Sequence, residues 1–174
     1  QSALSIAPAL YTMQPSGTLY KSMVETGIST AVQSTTWLDQ DFNLVFMGAI
    51  YAPNHDAKKV DEALTTGVEN SQPFTDAELQ RVKNMTKNAA DTIAKDAVAL
   101  GSHLSDYAVA SHGQWDQYFK DLQAIQDLKL NDANQILKQF LVSSHRISGE
   151  ILPTPEDQKK AMTQNTQEKP KTLD

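Results

Sequence analysis

Two neighbouring segments with the period of a β-strand limit the folds open to this chain more than any other feature. Residues 42–51 alternate large apolar side chains with the residues between them, and residues 30–38 are rich in Thr and Val. The polar residues 39–41 are all that separates them, which predicts an antiparallel hairpin. Because both faces of residues 42–51 carry apolar side chains, we predict that this strand lies in the centre of a sheet.

The rest of the chain has mainly helical spacing. Helices are predicted over residues 3–13, 16–25, 53–69, 75–104 and 114–125, with a further helix capped by Asn131 and a short last strand over residues 146–152. Asn54 or Asp56 is the predicted cap of the third helix, and Thr75 with Glu78 has the spacing of a capping box. The predicted fold class is therefore α+β, with an antiparallel or mixed sheet and helices packed on one face.

A change in composition marks the predicted domain boundary. Residues 1–153 have the size of one domain that can bury its own core. Residues 154–174 contain no aromatic residue and are dominated by Gln, Lys, Thr, Glu and Pro, which is typical of a polar linker or tail. Such a linker usually leads to another domain.

Charge and cysteine content exclude several classes of function. The 174 residues carry a net charge of −6, which disfavours nucleic acid and anionic membrane surfaces as partners. There are no cysteines, so disulfides, thiolate nucleophiles and Cys-type zinc sites are excluded. The sequence also contains no apolar stretch long enough to span a bilayer.

Four histidines are present, and none has a second His or a Glu at metal-binding spacing. They are His55, His103, His112 and His145. For each we favour a surface or capping role over a ligand role. Neither a nucleophile elbow nor a phosphate-binding glycine loop occurs. We therefore predict no catalytic, metal-ligating or cofactor-binding residue in this chain.

Carboxylates and aromatic residues offer weaker candidates. Four carboxylates fall into two pairs, Asp39 with Asp41 and Asp116 with Asp121. We interpret the first pair as turn residues and the second as part of a solvated helix face. Trp115, Tyr118 and Phe119 fit either a ligand-stacking cluster or a core, and helical spacing favours the core.

Five segments, in this order, resemble the insulinase and pitrilysin-like zinc metallopeptidases, which include mitochondrial processing peptidase. They are residues 15–32, 42–53, 74–83, 113–125 and 130–134. The resemblance covers residues 6–153, and the order and spacing of the segments carry it. It implies an α/β roll that begins with a strand before its first helix. We expect this chain to lack that strand.

The resemblance also implies that zinc binding and chamber formation are divided between two domains. Similar domains occur in pairs in this family, and the first of a pair carries His-x-x-Glu-His and binds zinc. This chain resembles the second, which has no metal ligand and helps to form the substrate chamber. Its implied partners are a zinc-bearing domain, of the same polypeptide or of a partner subunit, and an extended peptide substrate. Zinc is expected in that neighbour only.

One departure from the family narrows the assignment. In the clasping, non-zinc half of many members, the segment that aligns with residues 24–30 carries an Arg and a Tyr that contact the substrate. This chain has Val24 and Thr30 at those places. Neither side chain can replace the hydrogen bonds that Arg and Tyr make. We therefore assign no substrate contact here, and we favour the second domain of the zinc-bearing half.

The leading functional hypothesis is a non-catalytic, chamber-forming domain of a zinc-dependent metalloendopeptidase, inactive on its own and periplasmic or secreted. One alternative is a scaffold domain of a zinc-less, inactive homologue. A second is a free-standing interaction module. The open edge of the hairpin also predicts a homodimer through edge pairing.

Overall fold

The computed structural model describes residues 2–38, 42–52, 55–152 and 154. Two strands, β1 (Ala31–Leu38) and β2 (Asn43–Ile50), lie between helices. A π-helical turn, Tyr20–Val24, precedes β1, and a 3₁₀ turn, Ser143–His145, follows the last helix. The helices are α1 (Ser2–Ser5), α2 (Ala7–Thr12), α3 (Ala57–Glu69), α4 (Asp76–Ile93), α5 (Ala97–Ala110), α6 (Gln117–Asp127) and α7 (Leu130–Phe140). This confirms the predicted α+β class.

The strands form the predicted antiparallel hairpin, in a register that pairs Ala31 with Ile50 and Leu38 with Asn43. Its inner face packs on the helical core through Val32, Val45, Met47 and Ala49. A hydrogen bond of 2.8 Å between the hydroxyls of Thr12 and Ser34 joins α2 to this face. The predicted turn at residues 39–41 lies outside the described residues.

The prediction that β2 is a central strand is wrong for the part of the chain that the structure describes. There β2 pairs with β1 alone. Its outward-pointing side chains are about half exposed, among them Leu44 and Phe46. Apolar residues on both faces are typical of a strand that is covered on both sides. The pattern does not show whether the second face is covered by this chain or by another.

The core is built around the first helices and the π-helical turn. Leu19 and Met23, which lie in the predicted helix over residues 16–25, are fully buried. Tyr11 lies edge-on to Phe74 with ring centroids 5.1 Å apart, and its hydroxyl is 3.3 Å from the carbonyl oxygen of Val68. Gly17 sits against the end of α2, where a Cβ would lie 2.6 Å from the backbone oxygen of Tyr11. Close backbone contact therefore requires glycine at this position.

Side-chain caps fix two helix starts as predicted. The Asp56 carboxylate accepts a hydrogen bond of 3.0 Å from the Lys58 amide at the start of α3. Thr75 and Glu78 form the complete capping box of α4. The start of α7 differs: the helix begins at Leu130, and no side chain caps it, so the predicted Asn131 cap is wrong.

The predicted long helix over residues 75–104 is also wrong, because it breaks after Ile93. The Asp96 carboxylate accepts hydrogen bonds from the amides of Val98 and Ala99, at 2.9 and 3.1 Å. It thereby starts α5 as a separate helix, and this local cap outweighs the uniform helix propensity around it. Ala89 and Ala97, on either side of the break, are exposed.

The predicted last strand over residues 146–152 does not form among the described residues. The segment has no helical or strand assignment, and Ile147 and Ile151 are 99% and 97% exposed. Contacts of Arg146 with Glu69 and of Tyr51 with Glu150 hold it beside the ends of α3 and β2. A strand needs a partner for its backbone, and no described segment provides one.

Of the predicted tail, only Thr154 is described, so the boundary at residue 153 stays a prediction. None of the helices in the described ranges has the length and apolar character that a bilayer crossing requires.

Candidate interaction surfaces

The structure places the four histidines on different elements. His103 of α5 stacks on Tyr118, with ring centroids 6.0 Å apart. The Nδ1 atom of His145 lies 3.0 Å from the carbonyl oxygen of Phe140. His112 follows α5 with a left-handed φ of 51°. The Nδ1 of His55 is buried and has no hydrogen-bond partner among the described residues.

The described residues of this chain do not fit a zinc ion, which the resemblance places in the neighbouring domain. Among them, no three His, Asp or Glu side chains come together in a group that could hold a metal ion. Asp39 and Asp41 lie outside the described residues. The absence of a metal site from the whole chain therefore stays a prediction, and we derive no zinc chemistry from these residues.

The second carboxylate pair is engaged locally. Asp116 forms an ion pair of 2.7 Å with Lys120, and Asp121 accepts a hydrogen bond of 2.7 Å from the side chain of Gln117. Burial raises the pKa of Tyr107, and the nearby Asp121 carboxylate raises it further. These carboxylates therefore belong to local helix contacts and do not converge on one site.

The aromatic group formed by Trp115, just before α6, and by Tyr118 and Phe119 of α6 divides between core and surface. Tyr118 is buried and packs edge-on against Tyr107 at 5.3 Å, as the core interpretation predicts. That interpretation is wrong for Trp115 and Phe119, whose side chains are about half exposed. Phe119 borders an open groove of about 290 Å³ between α4 and α6, beside the ion pair of Lys87 and Asp91.

Several exposed apolar residues share the side of the hairpin that points away from the helical core, which we call the outer hairpin face. Its strand residues are Ala31, Gln33, Thr35, Trp37, Leu44, Phe46, Gly48 and Ile50, and the exposed Phe42 continues the same alternation just before β2. Across the strands Trp37 lies opposite Leu44, and Thr35 lies opposite Phe46. None of these residues is charged. Contiguous exposed apolar surface of this kind marks interaction sites.

A shallow hollow of about 220 Å³ lies on this face, bordered by Trp37 and Phe46. The Phe46 ring covers Gly48, where a Cβ would lie 3.2 Å from ring atoms. The absence of a side chain at residue 48 lets the ring lie flat along the sheet. The sequence showed the alternation that builds this face, but we had interpreted it as a buried surface.

No protein-family model and no curated protein sequence matches the chain. Solved structures do. A proposed zinc protease from Bordetella pertussis Tohama I is 30% identical, with a TM-score of 0.79, over 88% of this chain and 84% of that one. The inactive peptidase domain of a proposed zinc protease from Bordetella parapertussis is 31% identical, with a TM-score of 0.80, over the same shares. The chain belongs to this zinc protease family.

A third structure extends the comparison of folds. A protease from Helicobacter pylori is 20% identical with a TM-score of 0.70, and the match covers 83% of this chain and 35% of that one. At this identity the likeness supports the fold alone. Together the structures confirm the zinc protease resemblance at the level of the family. The narrower placement among insulinase-like peptidases remains a hypothesis.

Proposed function

We propose that this chain is a non-catalytic, chamber-forming domain of a zinc-dependent metalloendopeptidase of the insulinase-like type. The observation that carries the proposal is the 31% identity with the inactive peptidase domain from Bordetella parapertussis, over 84% of that domain. In this arrangement a neighbouring domain supplies the zinc ligands and the general base for peptide hydrolysis. This chain supplies surface that shapes the space around the peptide.

The hairpin gives this role a physical basis. Among the described residues, β1 and β2 pair only with each other, so each strand has one edge without a strand partner. An extended peptide can add to such an edge through backbone hydrogen bonds, which tolerate varied side chains. We therefore assign the extended peptide substrate to an edge of this hairpin.

A peptidase assay tests whether cleavage requires the zinc-bearing domain. The purified chain, incubated with zinc and a fluorogenic peptide, is expected to show no cleavage. Cleavage is expected when the zinc-bearing domain is added, and replacing the Glu of that domain's His-x-x-Glu-His by Gln is the control that removes it. Metal-dependent cleavage by this chain alone would refute the proposal.

Peptide binding tests the edge separately. A peptide that binds the assembled protease is compared with the same sequence carrying N-methyl groups at alternate residues, which cannot complete a strand ladder. We expect at least a tenfold loss of affinity on N-methylation. Equal affinity of the two peptides would exclude strand addition.

The sequence of the parent protein separates the alternatives. An intact His-x-x-Glu-His in the partner domain supports the protease, whereas a degenerate motif supports an inactive scaffold. A native chain of this length that works as a monomer would support the free-standing module. The periplasmic or secreted location also stays a prediction, to be tested by cell fractionation.

A further inference from the structure

We propose that a second copy of this chain covers the outer hairpin face, so that two hairpins pack face to face about a two-fold axis near Thr35 and Phe46. This interface is distinct from the edge at which we place the substrate peptide. It uses side chains that point away from the helices, whereas the edge uses backbone groups.

Charge argues for a second copy as the occupant. The outer hairpin face contains no charged residue, although the chain as a whole carries a net charge of −6. The surface that covers this face must therefore be apolar, because a charged group buried against it would lose its water and find no opposite charge. The same face of another copy meets this condition, and a two-fold axis makes it complementary to itself.

The available area suits a weak dimer. Five large apolar side chains, Trp37, Phe42, Leu44, Phe46 and Ile50, are each 45–57% exposed. Three of them are aromatic, with an area of about 150–250 Å² each, and together with the smaller Leu44 and Ile50 their exposed parts offer roughly 500 Å² per copy. Two copies then bury roughly 1,000 Å² in total, which is close to the lower limit of specific interfaces.

The shape of the face allows such packing. Sheets stack at about 10 Å when their facing side chains interdigitate. The hollow runs along β1 from Gln33 to Trp37, with the Phe46 ring across from it. We place the partner's Trp37 in this hollow, so that each copy inserts one indole into the other.

Sedimentation equilibrium of the purified chain tests the proposal. We expect a monomer near 1 µM and a substantial dimer fraction at several hundred µM, the range for an interface at the low end of area. Thr35→Glu and Thr35→Lys variants are each expected to weaken the dimer at least tenfold, because the axis brings like charges together. An equimolar mixture of the two variants should restore association.

Controls keep the test specific. Val98 on α5 is 82% exposed, so Val98→Glu adds the same charge on another surface and should leave the dimer unchanged. Circular dichroism checks folding, and Trp37→Ser replaces either Thr35 variant that fails to fold. A chain that stays monomeric at all concentrations overturns the proposal. So does a dimer that persists in the Thr35 and Trp37 variants, or a charge mixture that fails to associate.

Discussion

Lys83 and Gln126 exchange hydrogen bonds with each other's backbone. The Lys83 ammonium donates to the Gln126 carbonyl oxygen at 2.7 Å, and the Gln126 side-chain amide donates to the Lys83 carbonyl oxygen at 3.1 Å. Lys83 is only 7% exposed. Gln126 lies in the last turn of α6, where carbonyl groups lack partners within the helix and favour a nearby cation. The pair therefore joins α4 to the end of α6.

Lys83→Met is expected to lower the free energy of unfolding by about 1–3 kcal/mol, because it leaves the Gln126 carbonyl without its donor. Lys87→Met is the matched control one turn later on the same helix. It removes an exposed ion pair with Asp91 and should cost less than about 1 kcal/mol. Urea unfolding measures both changes. Equal losses in the two variants would contradict the assigned role of Lys83.

Asn134 makes a second reciprocal contact, between α7 and the chain just before α4. Its side chain accepts from the Phe74 amide at 2.8 Å and donates to the Phe74 carbonyl at 3.0 Å. Asn134→Ala is expected to cost about 2 kcal/mol, since two backbone groups lose their partner. The exposed Asn131, changed to Ala, should shift stability by less than about 0.5 kcal/mol. A larger loss at Asn131 than at Asn134 would reverse this assignment.

The capping box predicts a pH dependence. Burial raises the pKa of Glu78, whereas hydrogen bonds from the Thr75 amide and hydroxyl and the nearby charges of Lys21 and Arg81 lower it. The lowering effects are the larger, so the pKa of Glu78 lies below its ordinary value of 4.5. A carboxyl with a lowered folded-state pKa stabilises the fold above its unfolded pKa, and this contribution is lost as the pH falls through the folded value.

We therefore compare the wild type with Glu78→Gln, which can still accept hydrogen bonds but does not titrate. The wild type is expected to be more stable by about 0.5 kcal/mol at pH 7. The difference should shrink as the pH falls below 4.5 and through the lowered folded-state pKa of Glu78. Unfolding free energies across this range provide the measurement, and a difference that grows on acidification would show that the sign is wrong.

Two glycines should respond to alanine in opposite directions. At Gly17 a Cβ would meet backbone atoms of Tyr11, Thr12 and Met13 at 2.6–2.8 Å, so Gly17→Ala should cost about 1–3 kcal/mol. At Gly101, inside α5, a Cβ meets nothing within 4 Å. Gly101→Ala should therefore stabilise by about 0.5–1 kcal/mol through helix propensity. Thermal unfolding measures both, and the same sign at both positions would contradict the close contact at Gly17.

Zinc is not expected to raise the melting temperature of this chain. A specific ligand stabilises the folded state by mass action, and the donors in the described residues do not gather into a group of three. Thermal scans with zinc, and with magnesium as a control, provide the measurement. A rise specific to zinc that a chelator reverses would reveal a site that we have not identified.

The sequence predicted those parts of the fold that depend on local signals. The alternation in residues 42–51 identified the hairpin, and Thr75 with Glu78 identified the start of α4. Gly27, which follows the π-helical turn, has a left-handed φ of 76°, a conformation that glycine adopts without strain. In each case neighbouring residues alone determine the conformation.

Features that depend on distant partners were not predicted. The outer hairpin face has the same alternation as a buried strand, and only the fold shows that the other face packs on the core while this one stays exposed. The segment containing Ile147 and Ile151 has strand composition but no described strand to pair with. The end of α4 was missed because residues 94–97 suit a helix well, and the Asp96 cap competes only once the chain turns there.

The contact between Phe46 and Gly48 makes the outer hairpin face sensitive to a single methyl group. A Cβ at residue 48 would occupy space that the Phe46 ring now uses. A substitution that adds a Cβ there would require the Phe46 ring to shift by a few tenths of an ångström. Relatives that retain glycine at this position should share the smooth surface, and those that have lost it should present a different shape to whatever they meet.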